Sequence, residues 1–210
     1  MPMPVEDHAR PNPPGQFDIR KIRWEQAIPV DWWRNQSKAH PLPLVFTQTT
    51  GRFSGTDLPF GVLYLGANPV TCFWESGLGR DLNARMPDDM TISESDLKSR
   101  FQYRVKIEPK GLRIFNASDA GARRSIGAKT AACFSADHAM SRKWAKSLHD
   151  AGAAGILYES TRHSLGLCLA LFQTSASKVS LSKTRKICSS YDDVNLLASL
   201  FAEGVSIIGR

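Results

Sequence analysis

Short apolar runs, separated by polar and glycine-rich stretches, set the rhythm of the chain. Gly61–Gly66 (GVLYLG) is apolar throughout and bounded by glycines, the pattern of a strand buried on both faces. Gly155–Tyr158 (GILY) and Leu167–Phe172 (LCLALF) read the same way. Phe101–Ile107 (FQYRVKI) instead alternates, so one of its faces is buried and the other wet. Leu112–Phe115 is a further strand, and the apolar and aromatic residues of Ile22–Trp33 suggest an N-terminal element packed on the core.

Helix signals fall between these runs. Asn68 caps a helix with Pro69 at its first position, running to Glu75 with a glycine stop at Gly77 or Gly79. Ser135 with Asp137 opens a second helix through Trp144 and Leu148, stopped by Gly152. Ser190, Asp192 and Asp193 open a last one, Val194–Phe201, before Gly204. Ser54–Gly55 and Asp57–Pro59 read as loop. Strands and helices mix without strict βαβ alternation, which favours the α+β class.

Length and composition narrow this picture. The 210 residues suit one domain, residues 17–210, behind a flexible Pro-rich lead-in over residues 1–16. A domain of this size buries roughly 70% of its unfolded surface and needs no metal or disulfide staple. No apolar run approaches the ~18–20 residues that span a bilayer. The N-terminal stretch has no apolar core of the Sec type, so a cytoplasmic protein without membrane contact is expected. Cys72, Cys133, Cys168 and Cys188 form no CxxC or zinc spacing, and three of them sit in apolar surroundings that suit buried free thiols. The five histidines show no HxH or HxxxH spacing, so no metal site is expected.

With 27 basic against 20 acidic residues the net charge is +7, which attracts nucleic acid, phosphate-bearing ligands or an acidic partner. The densest basic run, Ser182–Lys186, is interleaved with hydroxyl residues rather than with base-stacking aromatics. It suits a solvated face better than a nucleic-acid patch. No GxSxG elbow, Walker loop or GxGxxG is present.

Three segments place polar groups where packing alone would not. In Thr49–Phe53 (TTGRF), Arg52 beside a glycine suits either a phosphate fork or a surface ion pair. In Leu63–Glu75, Tyr64 lies on the buried strand and its hydroxyl needs a partner. Glu75 sits among apolar helix residues beside Trp74, where a carboxylate must be paired or used. The amides at the start of that helix face a possible anion. In Gly155–His163 (GILYESTRH), a buried strand ends in a dense polar cluster, either an ordinary turn or a site carried by a rigid strand.

Together the three segments resemble the RES-domain family, bacterial toxins named for an arginine, a glutamate and a serine. The matching residues are Arg52 in GRF, Tyr64 in GVLYLG, Glu75 in CFWESGLG and Ser160 in GILYESTRH. Trp144–Gly152 and LCLALF match the family's helix and following strand, and the resemblance is strongest over residues 45–172. Many members have Ser-Arg-His directly, whereas this chain has Ser160–Thr161–Arg162–His163, leaving the roles of Arg162 and His163 open.

The resemblance implies a split mixed sheet like that of ADP-ribosyltransferase toxins, and an enzyme that degrades NAD⁺ as substrate without any cofactor. Arg52, Glu75 and Ser160 are then catalytic, with Arg52, Tyr64 and Ser160 also binding substrate. Arg52 would bind the pyrophosphate or an anionic nucleophile, Tyr64 the nicotinamide, and Glu75 the positive charge that develops on ribose. Water, inorganic phosphate as co-substrate, or a protein side chain remain open as acceptor. The implied partner is an antitoxin with a DNA-binding part. A basic nucleic-acid-binding protein is the rival reading; it accounts for the charge but not for the Arg/Tyr/Glu/Ser spacing, so no direct contact with nucleic acid is expected.

Overall fold

The apolar runs become the middle of a nine-stranded sheet in the computed structural model, which describes residues 12–13, 15, 17–40, 42–85, 90–128, 130–134, 137–182 and 188–209. The strands begin with β1 (Trp24–Glu25), β2 (Asp31–Ser37), β3 (Val62–Gly66), β4 (Thr91–Ser93), β5 (Arg100–Ile107) and β6 (Ile114–Asn116). They continue with β7 (Gly155–Glu159), β8 (Leu167–Phe172), β9 (Val179–Leu181), β10 (Cys188–Ser189) and β11 (Ser206–Ile208). The large sheet runs β1-β6-β7-β8-β3-β2-β5-β10, with β9 also pairing β5, while β4 and β11 form a separate parallel pair. Within the large sheet β6 and β7 are parallel and the other neighbours antiparallel, so it is mixed.

Alternation explains why β3 and β8, and β7 as far as Tyr158, are apolar at every position. Val62, Ile156, Ala170 and Phe172 enter one cluster with Phe115, Phe134, Trp144 and Leu148. Leu63, Leu65, Leu157, Leu169 and Leu171 enter a second with Trp32 and Val105 on the opposite face. Successive strand residues point to opposite sides, and here both sides are covered.

The sheet is split between β2 and β3. Along β2 every residue pairs with β5, but β2 meets β3 only at Trp33 and Gly66. The joint is plugged by Cys72, whose thiol donates to the Trp33 carbonyl (3.1 Å) and accepts from the Asn35 N–H (2.8 Å). Gly66 is needed for this approach: a Cβ there would lie 2.6 Å from the Cys72 backbone nitrogen. Arg34 spans the same gap, its Nη1 donating to the Tyr64 carbonyl at 3.0 Å.

The helices are α1 (Pro69–Glu75), α2 (Gly77–Asn83), α3 (Glu94–Lys98), α4 (Ala120–Ser125), α5 (His138–Asp150) and α6 (Val194–Ala202). Asn68, Asp137 and Asp193 cap α1, α5 and α6 as their sequence positions suggested. Ser135 lies outside the described residues, as do most of the lead-in and residues 183–187. The expected glycine stop after Glu75 is corrected. Ser76 ends α1 and caps α2, and Gly77 is the first residue of a new helix. Gly79 serves packing instead, since a Cβ there would collide with the Phe73 carbonyl and Trp74 Cα. The single N-terminal element expected over Ile22–Trp33 is two strands, the second continuing to Ser37. A third cluster joins Phe73, Trp74 and Leu82 to Leu196, Leu200 and Val205, so the chain's last helix buttresses α1 from behind.

Among the described residues no helix is long and apolar enough to cross a membrane.

Candidate active site

A cleft of about 220 Å³ opens beside the split, and among the described residues its walls carry Arg34, Arg52, Arg80 and Arg162 against a single carboxylate, Glu75. Four guanidinium groups around one acid make this a place where an anion is favoured.

Arg52 is positioned by a loop that folds on itself. The Gly51 N–H donates to the Ser54 carbonyl (2.9 Å), and the Ser54 hydroxyl donates to the Thr49 carbonyl (2.7 Å). Tyr64 of β3 locks the loop from below: its hydroxyl accepts from the Phe53 N–H (2.8 Å) and donates to Ser54 Oγ (3.1 Å). Burial pushes the Tyr64 phenol up, against the hydrogen bonds from Ser54 and Phe53 and the Arg52 charge, so it acts as a neutral donor. Arg52 itself is only 7% exposed. Its guanidinium lies over the Tyr158 ring at 4.9 Å, and its Nη2 donates to Thr161 Oγ1 at 2.9 Å. Its Nη1 is buried without a hydrogen-bond partner, and Arg52 makes no ion pair among the described residues. A buried charged donor left unpaired is costly.

Glu75, at the last position of α1, is held at both oxygens. Oε1 accepts from the Ser160 hydroxyl at 2.6 Å, and Oε2 from Arg162 Nη1 at 3.1 Å. Ser160 Oγ in turn accepts from the backbone N–H groups of Arg162 (3.1 Å) and His163 (2.9 Å), the hydroxyl turn that serine favours after a strand. His163 Nδ1 meets Thr71 Oγ1 at 2.8 Å, tying the turn back to α1. The ring of His163 thus meets a threonine rather than Ser160, and no Ser–His nucleophile is assembled here.

Arg52, Tyr64 and Glu75 therefore line one cleft, although they come from a loop, a strand and a helix end. Ser160 is brought to Glu75 rather than to the cleft wall, with its donor and its acceptor capacity occupied inside the protein. The start of α1 does not line the cleft, and Asn68 Oδ1 takes the Thr71 amide at 2.8 Å. Arg34, Arg80, His138 and Tyr158 also line the cleft, and sequence reasoning missed them. Arg34 follows two tryptophans buried on β2, a local signal that a polar residue there faces something structured. Arg80 arrives only because α2 continues the chain after Glu75. His138 and Tyr158 carry no local mark.

Cys72 lies at the cleft, but burial pushes its thiol up to about 12, which suits a structural hydrogen-bonding group and not a nucleophile. Burial pushes the Cys168 thiol up as well. Cys72, Cys133 and Cys168 are free and buried, as their apolar neighbours implied. Burial lowers His138, helped by the charges of Arg52, Arg142, Arg162 and Arg80. Among the described residues no group of His, Cys, Asp or Glu gathers to hold a metal.

An arginine-walled cleft set in the gap of a split mixed sheet, with one oriented glutamate, defines a small α+β domain shaped for an anionic ligand. The RES domain model matches residues 26–192, and the chain belongs to that family. The match reaches beyond residues 45–172 at both ends, taking in β2 with Arg34 and, after Phe172, β9 and β10. The fold is similar to that in the crystal structure of the M. tuberculosis MbcT–MbcA toxin–antitoxin complex. That likeness has a TM-score of 0.54 at 13% identity and covers 81% of this chain and 90% of that chain. The architecture is α+β with a large mixed sheet, as the family resemblance implied. No curated protein matches the chain.

Proposed function

We propose that the protein is a toxin that depletes NAD⁺ by cleaving the nicotinamide–ribose bond. The observation that carries this reading is Arg52: a buried guanidinium on the wall of a cleft that holds a fixed carboxylate, pinned on two sides and with its Nη1 left without a protein partner. A ligand with a diphosphate and a centre that turns cationic satisfies both. The diphosphate takes up the free arginine donors. As the glycosidic bond breaks, its electron pair leaves with nicotinamide and positive charge grows on the ribose, where Glu75 stabilises it. Tyr64 orients the nicotinamide end, and Ser160 with Arg162 holds Glu75 in place. Water or inorganic phosphate then attacks the ribose carbon. Such an activity needs restraint in its own cytoplasm, which favours an antitoxin partner, and the toxin–antitoxin setting of the similar fold supports this; that the antitoxin carries a DNA-binding part rests on the family resemblance alone.

The test is purified protein with NAD⁺, with and without millimolar phosphate, the products identified by mass spectrometry. Nicotinamide release is expected, with phosphate accelerating NAD⁺ loss and giving ADP-ribose-1″-phosphate. Phosphate-independent rate and product would leave hydrolysis, and labelled ADP-ribose on a protein would favour transfer. No loss of NAD⁺ with soluble, folded protein would sink the reading. Expression alone is expected to arrest bacterial growth, with NAD⁺ falling before viability.

A further inference from the structure

Thr161 is an exposed residue in the turn that follows β7. Its hydroxyl is nevertheless the acceptor for Nη2 of Arg52, a buried side chain from a loop 109 residues earlier. Arg52 has two fixed supports, the Tyr158 ring and Thr161 Oγ1, and no ion pair among the described residues. The contact with the Tyr158 ring, 4.9 Å from the guanidinium carbon, is weakly directional, whereas a hydrogen bond fixes the position of one nitrogen. The hydrogen bond to Thr161 holds Nη2 at 2.9 Å and, because the group is rigid and planar, places the whole guanidinium, the unpartnered Nη1 included.

The neighbouring residues of the same turn do the corresponding work for the carboxylate. Ser160 and Arg162 hold the two oxygens of Glu75, and His163 anchors the turn to Thr71 of α1. Three consecutive residues therefore reach the two charged groups, and the fourth ties the turn to α1. A shift of the turn moves the arginine contact and the glutamate contact together.

We propose that Thr161 is a positioning residue: it orients Arg52 for an anionic, phosphate-type group of the ligand, so that the Ser160–His163 turn sets the spacing between that anion and Glu75. This rests on Arg52 being the anion's ligand in the proposed function. Holding a long side chain in its binding rotamer before the ligand arrives spares an ordering cost at binding, and Thr161 supplies that preorganisation.

The experiment is calorimetric binding of inorganic pyrophosphate to the full chain, as wild type, Thr161→Val, Thr161→Ser, Arg52→Ala and the Thr161→Val/Arg52→Ala double variant. Valine keeps the shape and loses the acceptor; serine keeps the acceptor. Thr161→Val is expected to weaken binding by about five- to tenfold, while Thr161→Ser stays within about twofold of wild type. In the Arg52→Ala background the valine change is expected to have no further effect, because the two residues act as one unit. Thr161→Ala serves as a second acceptor-less variant, and melting temperatures identify any that fail to fold. With NAD⁺, Thr161→Val is expected to raise KM with kcat little changed, a split that general loosening of the fold does not produce. Wild-type pyrophosphate affinity in Thr161→Val, or an equal loss with and without Arg52, would overturn the proposal while leaving Arg52 as the anion ligand. Equal binding by wild type and Arg52→Ala would overturn that underlying reading, and the proposal with it.

Discussion

The two walls of the cleft hold their charged residues in opposite ways. On the β3 side, Arg52 is presented by a loop stitched through Gly51, Ser54 and the Tyr64 hydroxyl, and one of its N–H groups is left without a partner. On the β7 side, Glu75 has a donor on each oxygen, and its main donor, Ser160, is itself fixed by two backbone N–H groups. The first wall is built with hydrogen-bonding capacity to spare, the second with its geometry closed. A group that must take hold of a ligand needs an open valence. A group that must meet a charge appearing only during reaction needs a fixed place, because preorganisation is what makes such stabilisation effective. Arg52 fits the first description and Glu75 the second.

Removing the charges is the strongest way to break this comparison. Glu75→Gln keeps the shape, and its expected effect is a loss of about 10²–10³ in NAD⁺ turnover, falling on kcat. Arg52→Ala is expected to lower kcat/KM by a similar factor, mostly through KM. Arg52→Lys should recover little, because an ammonium reproduces neither the fork nor the stacking on Tyr158. Steady-state NAD⁺ loss measures all three, with circular dichroism confirming that each variant is folded. Near wild-type turnover in both Glu75→Gln and Arg52→Ala would place the active site elsewhere.

The middle of this fold was legible in the sequence, and the reason is periodicity. β3, β7 and β8 are apolar on both faces, and their runs end where glycine or polar residues begin, so their limits could be read to within about a residue. The caps Asn68, Asp137 and Asp193 were legible for the same local reason. The break at Gly77 was not. A glycine that stops a helix and one that lets a helix pack closely look alike until the neighbour, here Phe73–Trp74, is in place. The split of the sheet was foreseen through family resemblance and not through pattern, because it depends on how β2 and β3 meet at a single pair. The site divides in the same way. Arg52, Tyr64, Glu75 and Ser160 stand in segments whose polarity conflicts with local packing, whereas Arg80, His138 and Tyr158 reach the cleft through the folding of the chain alone.

A smaller effect tests whether the open wall depends on its stitching. Tyr64→Phe keeps the ring and removes only the hydroxyl that serves Phe53 and Ser54. The Phe53 N–H is left without its acceptor next to a fully buried side chain, a loss of about 1–3 kcal/mol. A lower melting temperature is expected, together with a rise in KM of about tenfold, an amount worth about 1.4 kcal/mol, as Arg52 loses its fixed loop. If thermal unfolding and KM both stay at wild-type values, the hydroxyl is not what holds Arg52.

The smallest effect sharpens the electrostatic side of the comparison. His138, the first residue of α5, lies on the cleft wall among the arginines, and burial followed by the charges of Arg52, Arg142, Arg162 and Arg80 lowers it from 6.5. For a histidine lowered in the folded state, the neutral form is the one that folding favours. Its contribution to stability is therefore present above about 6.5 and is lost as pH falls through the lower folded value. An anion bound at Arg52 offsets the positive field that lowers His138, so His138 is raised in the complex and binding takes up protons between the free and bound values. By reciprocity, affinity rises as pH falls through that interval. ADP-ribose suits the measurement, since its diphosphate stays ionised throughout. Calorimetry between pH 5.5 and 7.5 in buffers of different ionisation enthalpy is expected to report proton uptake on binding, with a modest gain in affinity as pH falls. His138→Gln is expected to abolish both the uptake and the pH dependence while leaving affinity at pH 7.5 nearly unchanged. Proton uptake that persists in His138→Gln would assign the titration to another group, and proton release on binding would contradict an anion seated among these arginines.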